Sequence, residues 1–220
     1  MVIFIETYWK MIMDSALFLG FLAATLVIVI SPGPAVALAS SQAVKYGPKA
    51  AFATMLGDVL GTVVHIVVAV TSLQALLGLA SQILPILQIL GGIYILYLAY
   101  GSLTMKPHLK AGLAPIRGYR SAFISGFFSC VSNPKAIVFF AALFPGFIAP
   151  ELDVVFQSFV YGAIFVALDA AFIMGYAMLA VTAANSCFGN SINMDRISGF
   201  GLLGVGFLLI VKGYKDLRSV

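Results

Sequence analysis

Charge is scarce in this chain. Asp, Glu, Lys and Arg make up 9% of its 220 residues, against about 25% in soluble domains. Hydrophobic residues reach 62%, and a soluble fold of this size could not hide so much apolar surface from water. The composition excludes an ordinary soluble protein and implies a polytopic membrane protein. Cysteine is nearly absent as well. Cys130 and Cys187 are the only two, and neither belongs to a C-x-x-C pair. No His/Cys cluster has metal-ligand spacing either, so both cysteines read as small packing residues. The chain also lacks a phosphate loop, an ATPase motif and a nucleophile–base–orienter set. No enzyme chemistry and no cofactor are expected. The formal net charge is +4, with no basic patch interleaved with aromatics. That points to basic cytoplasmic loops rather than to nucleic acid.

What is present is a series of apolar runs. A span needs about 20 apolar residues, and six candidates emerge at roughly 15–44, 50–73, 83–104, 119–148, 155–182 and 197–217. The first and fourth are too long for one straight helix across ~30 Å of hydrocarbon. Each contains a proline break, at Pro32-Gly33-Pro34 and at Pro134, because proline removes a donor and crowds the preceding turn. The expected fold is therefore an all-α polytopic membrane protein with six transmembrane helices, helices 1 and 4 broken by Pro. Residues 1–220 form a single membrane domain, whose longest hydrophilic segment is about 105–120. The N-terminus holds Glu6, Lys10 and Asp14. It lacks the positive n-region of a signal peptide, and the first run is expected to be a retained span.

Lysine and arginine set the orientation. The side with loops 1–2, 3–4 and 5–6 holds seven, namely Lys45, Lys49, Lys106, Lys110, Arg117, Arg120 and Arg196. The other side holds four, Lys10, Lys212, Lys215 and Arg218. Loops 1–2, 3–4 and 5–6 are expected in the cytoplasm.

Lys135 is the only charge between Arg120 and Glu151, 15 residues past one and 16 before the other. In a span it would sit near the bilayer midplane, where a lone charge costs about 2.5–3.5 kcal/mol on insertion scales. It directly follows Pro134. A charge and a helix break at one depth are what an ion or substrate site needs.

The two halves echo each other. Ile30-Ser31-Pro32-Gly33-Pro34-Ala35 is similar to Val131-Ser132-Asn133-Pro134-Lys135-Ala136, Asp58 answers Asp169, and Gly92 with Gly101 answers Gly204 with Gly213. With three spans in each half, repeat one (about 15–104) and repeat two (about 119–217) would be inverted. Inverted repeats with broken helices near the midplane are the architecture of many secondary transporters. Freed amides at a half-helix N-terminus suit a carboxylate, and freed carbonyls suit an ammonium. An amino acid carries both.

These residues resemble the LysE/RhtB family of amino-acid exporters. The likeness runs from about Ala16 to Lys215. It rests on Ser31-Pro32-Gly33-Pro34, on Asn133-Pro134-Lys135 with the aromatic, alanine-rich stretch to Phe144-Pro145, on Gly57 and Gly61, and on the aromatic-rich segment from Gly91 to Gly101. The resemblance implies a six-span exporter of the bacterial cytoplasmic (inner) membrane driven by the proton gradient. Known substrates of such proteins include lysine, arginine, homoserine, threonine and leucine. The family is also similar to membrane electron carriers with one Cys in each half, and here the first half has none.

Each polar residue inside the membrane has two readings. Lys135 contacts a substrate carboxylate or pairs with Asp58 or Asp169. Asp58 stands eight residues past Ala50, roughly 12 Å along a helix at about 1.5 Å per residue, with Gly61, Thr62 and His65 on its face. Asp58 and Asp169 carry protons or bind the substrate ammonium, or they form fixed pairs with Lys135. His65 shares the proton path or is hydrogen-bonded packing. Tyr94, Tyr97 and Tyr100 form a stripe that reads as packing or interface belt, and Gly57-x-x-x-Gly61 permits close helix approach. The expected substrate site is Ser31, Pro32, Gly33, Pro34, Asn133, Pro134 and Lys135, with proton coupling at Asp58, Asp169 and His65 and no metal site. The expected function is export of a small amino acid or related zwitterion by proton antiport. Alternatives are export of a metal cation or other small toxic solute, or a thiol redox carrier using Cys130. The expected partners are the substrate, protons and the lipid bilayer. No nucleic acid is expected, and a homo-oligomer stays open.

Overall fold

A computed structural model describes residues 14–75, 80–104, 118–185 and 194–219. Most of the expected 105–120 connection, Lys10 and Cys187 lie outside these residues. Among the described residues every regular element is helical.

The first expected run is two helices. α1 (Ser15–Ile30) starts at Asp14, whose Oδ1 accepts the Leu17 amide at 2.8 Å, a side-chain N-cap. It stops because Ser31 precedes a proline and turns extended, at φ −74° and ψ 110°, as pre-proline sterics require. α2 (Pro34–Tyr46) follows Gly33, with proline at its first position, and leaves α1 at 48°. Gly47, at φ 86°, donates its N–H to Ala43 O and ends α2. A side chain would strain that conformation. Pro48 then opens α3 (Pro48–Ala75) with no helix donor wasted. α4 (Ala80–Thr104) completes the first half.

The second half repeats the plan. α5 (Tyr119–Val131) breaks at Ser132-Asn133 before α6 (Pro134–Val138), with a bend of 47°. α6 continues as a π-helical turn over Phe139–Leu143 and a 3-10 turn over Phe144–Phe147. Pro145 has no N–H to return to the preceding turn, and it lies in the 3-10 turn that ends this segment. α7 (Val154–Asn185) and α8 (Met194–Ser219) follow. The link before α7 is tied down by Gln157, which accepts from Ala149 N at 3.0 Å and donates to Ala149 O at 2.9 Å.

α3 over Pro48–Ser72 and α7 over Val154–Ala184 are each long and apolar enough to cross a membrane, and each bent pair is so when counted as one span. α4 carries a shorter apolar stretch, Pro85–Gly101. Phe159, Tyr97 and Leu208 are 74%, 66% and 67% exposed, on outward faces that suit lipid and not water. The chain is a multi-pass membrane protein.

Two cores flank the breaks. One is aromatic and joins α1, α6 with its π and 3-10 continuation, and α7, through buried Phe21, Phe139, Phe140, Phe144, Tyr161 and Phe165. Phe21 and Tyr161 stack with centroids 4.5 Å apart. The other joins α2, α3 and α7 through small residues, including Ala35, Ala39, Ala43, Ala51 and Ala177. α7 runs through both, and Asp169 lies between its two contributions. α3 also packs along α5. A Cβ on Gly126 would lie 2.0 Å from Thr54 O, and one on Gly57 would lie 1.9 Å from Phe123 O. Only glycine allows backbones to approach this closely.

Candidate functional site

A helix that stops inside a protein leaves its last carbonyls without partners. At the end of α1 they are met from far along the chain. Lys135, in the first turn of α6, donates through Nζ to Ile28 O at 3.0 Å and to Ser31 O at 2.6 Å. A cation at a helix C-terminus also complements the helix dipole. The third freed carbonyl, Ile30 O, accepts from the Tyr176 hydroxyl of α7 at 2.6 Å. The ammonium that looked isolated in sequence is thus held by the break of the other half.

The end of α5 is met more locally. Ser132 donates through its backbone N and its hydroxyl to Phe128 O, and Asn133 N donates to Cys130 O at 2.8 Å. One long-range partner joins them, as His65 Nε2 of α3 lies 3.2 Å from Cys130 O. The His65 ring stacks on Phe140, with centroids 5.7 Å apart and planes 5° from parallel.

The two half-helix N-termini also differ. Asn133 Oδ1 accepts the Lys135 amide at 3.1 Å and caps α6. Gly33 occupies the matching position before α2 and offers no side chain. The structure thereby refines the sequence match between the breaks. Gly33 corresponds to Asn133 and Pro34 to Pro134, and the first break is one residue longer than the second.

Both breaks open onto one cavity of about 40 Å³, room for a few waters. Ser31 and Gly33 line it from the first break, Asn133 and Lys135 from the second. Asp58 of α3 and Asp169 of α7 complete the charged wall, with Thr62 and Cys130 beside them. Asp58 is 3% exposed, and its Oδ2 has no hydrogen-bond partner. The two carboxyls and the Lys135 ammonium thus share one cavity. The Cys130 thiol lies 3.5 Å from the Thr62 hydroxyl. Two carboxyls on this wall face a single ammonium that is already engaged with carbonyls, so the cavity carries a surplus of acid. The arrangement has room for one more positive charge, a proton or a ligand cation.

Of the expected site residues, Ser31, Gly33, Asn133, Lys135, Asp58 and Asp169 meet on this cavity. Pro32, Pro34 and Pro134 shape the breaks without lining it, and Pro34 and Pro134 are exposed. His65 stands behind the wall, on the carbonyl of Cys130. Of the tyrosine stripe, Tyr97 and Tyr100 are each 66% exposed, away from the cavity. Cys130, expected as packing, is a cavity residue. Tyr176 was missed. Its signal was in the repeat, because Tyr176 follows Asp169 by the same seven positions that separate His65 from Asp58. Each of the pair reaches from the long helix of one half to a freed carbonyl in the other half.

A family model described as LysE type translocator matches residues 26–213. An uncharacterized membrane protein of Vibrio cholerae is 27% identical over 90% of this chain and 98% of its own length. A homoserine/homoserine lactone efflux protein of Salmonella typhimurium is 28% identical over 73% of this chain and 79% of its own. A threonine efflux protein of Escherichia coli K12 is 24% identical over 89% and 98%. No solved structure matches the chain.

Proposed function

The chain belongs to the LysE type translocator family, and from that premise we propose that it exports a small amino acid or related zwitterion across the bacterial cytoplasmic membrane by proton antiport. The observation that carries this reading is the convergence of both helix breaks, two carboxyls and one ammonium on a single cavity. A zwitterion needs one anionic and one cationic partner, and the cavity wall offers freed backbone amides together with surplus acid. Two of the relatives named above are efflux proteins for homoserine, its lactone and threonine, cargoes that share the ammonium that surplus acid would hold.

In this reading the described helices belong to six spans arranged as two inverted repeats, about 15–104 and 119–217, within one transporter domain. Loops 1–2, 3–4 and 5–6 face the cytoplasm. Asp58 and Asp169 form one acidic site, open to the substrate ammonium or to a proton but not to both. Loading substrate from the cytoplasm displaces the proton, and release outside lets a proton return. That exclusion is the coupling. Lys135 holds the two breaks together through Ile28 O and Ser31 O, so that a movement of α6 carries the end of α1 with it. His65 steadies the break of α5 through Cys130 O, beside the two acids of the proton path.

The test is efflux from proteoliposomes loaded with a labelled panel of homoserine, threonine, leucine, lysine and arginine, with and without an imposed pH gradient. Gradient-driven efflux of at least one amino acid is expected. Efflux of none of them, by protein that stays folded, sinks the proposal.

A further inference from the structure

We propose that the substrate's carboxylate docks on the uncapped N-terminus of α2, at the amides of Ala35 and Val36, while its ammonium meets Asp58 and Asp169. This deepens the amino-acid reading above and rests on it.

Two half-helix N-termini lie near the cavity, and one is already taken. Asn133 fills the α6 terminus with its own Oδ1, 3.1 Å from the Lys135 amide. At α2 the capping position is Gly33, with no side chain to accept the amides. Pro34 has no amide, so Ala35 and Val36 carry the uncapped donors of this terminus, and both residues line the cavity. A helix N-terminus with free amides attracts an anion.

A second observation points to a ligand independently. Asp58 Oδ2 lines the same cavity, buried and without a hydrogen-bond partner. A buried, unpaired carboxyl oxygen is costly, and a ligand ammonium would satisfy it. Uncapped amides and an unpaired carboxyl oxygen on one cavity are complementary to the two charged groups of an α-amino acid. Lys135 Nζ lies near Gly33, 3.5 Å from where a Cβ there would be. Its positive field adds to that of the α2 terminus even though two of its protons are given to Ile28 O and Ser31 O.

The missing cap can be supplied. A Cβ at Gly33 would meet Lys135 Nζ at 3.5 Å and Asn133 Nδ2 at 3.6 Å, ordinary contact distances. The backbone there, at φ −105° and ψ −173°, is extended and open to any residue. Gly33→Asn would therefore place at α2 the cap that α6 already has, and the cap would compete with the carboxylate for the same amides.

The experiment measures binding of threonine and homoserine, each beside its C-terminal amide, to purified wild type and Gly33→Asn by calorimetry. The amide keeps the ammonium and loses the negative charge. Wild type should bind the acid about tenfold or more tighter than the amide, as a charge-assisted contact implies. Gly33→Asn should bring the acid down to the level of the amide, and its thermal melting curve shows that it is folded. Gly33→Ser, a shorter cap, reports the same ratio should the asparagine variant not fold. A capped variant that keeps the wild-type preference for the acid overturns the assignment. A wild type that binds both acids no better than their amides also overturns it, with the amino-acid reading intact. A wild type that binds none of the four overturns the amino-acid reading itself.

Discussion

The two helix breaks bend by nearly the same angle, 48° at residues 31–33 and 47° at 132–133, but different partners satisfy them. At the second break, Ser132 and Asn133 meet Phe128 O, Cys130 O and the Lys135 amide, with His65 adding one contact. The first break has few polar side chains of its own. Its carbonyls depend on Lys135 and Tyr176, both from the other half of the chain, and its amides at Ala35 and Val36 are left without a side-chain cap. A proline break opens a backbone, and the surrounding side chains decide whether that opening is closed or stays available. The half that cannot close its own break is the half left with open donors.

Removing Lys135 should break this comparison most severely. Lys135→Ala removes two charge-assisted hydrogen bonds of about 1.5–3 kcal/mol each and leaves Ile28 O and Ser31 O bare. Transport in the proteoliposome assay should fall to background, and the melting temperature should drop far more than for Asn133→Ala, which touches only the second break. Equal losses from the two variants would show that the breaks are not differently supported.

Asp58→Asn and Asp169→Asn come next. Each keeps the shape of the side chain and removes its charge. Gradient-driven efflux should fall about tenfold or more, since a desolvated ion pair is among the stronger contacts a site can make. Exchange of labelled for unlabelled substrate without a gradient should fall less. Full gradient-driven efflux in both variants would end the coupling role of the acids.

The smallest and sharpest comparison is Tyr176→Phe against His65→Phe. Each removes one hydrogen bond to a freed carbonyl, an effect of about 1 kcal/mol. Tyr176→Phe should cost more thermal stability, because Ile30 O lies at the break that depends on distant partners, whereas Cys130 O keeps the Asn133 amide. A larger loss from His65→Phe would reverse the ranking. Tyr176→His should restore part of the lost stability, since an imidazole N–H can donate to the same carbonyl.

Much of this was legible in one dimension. Long apolar runs give helices, and prolines flanked by apolar residues give breaks. A charge with no water near it must be paired, which made Lys135, Asp58 and Asp169 stand out. The reach of Tyr176 and His65 was not legible, because a carbonyl freed at a break has no preferred partner in sequence, and Tyr176 meets Ile30 from 146 positions away. The one-residue difference between the breaks was hidden too. In the register that pairs Ser31 with Ser132, Lys135 falls opposite Pro34 and the capping match of Asn133 with Gly33 is hidden.

By itself the sequence determined the elements and the inventory, namely long apolar helices, two of them interrupted, and three charges too costly to leave unpaired in hydrocarbon. Local sterics and solvation are set residue by residue, so composition and spacing reveal them. Tertiary structure alone decided which groups each break finds, which helix end stays uncapped and which way Lys135 points. Those outcomes depend on the close approach of helices across the two halves, where a glycine seam or an aromatic stack fixes distances that no spacing along the chain encodes.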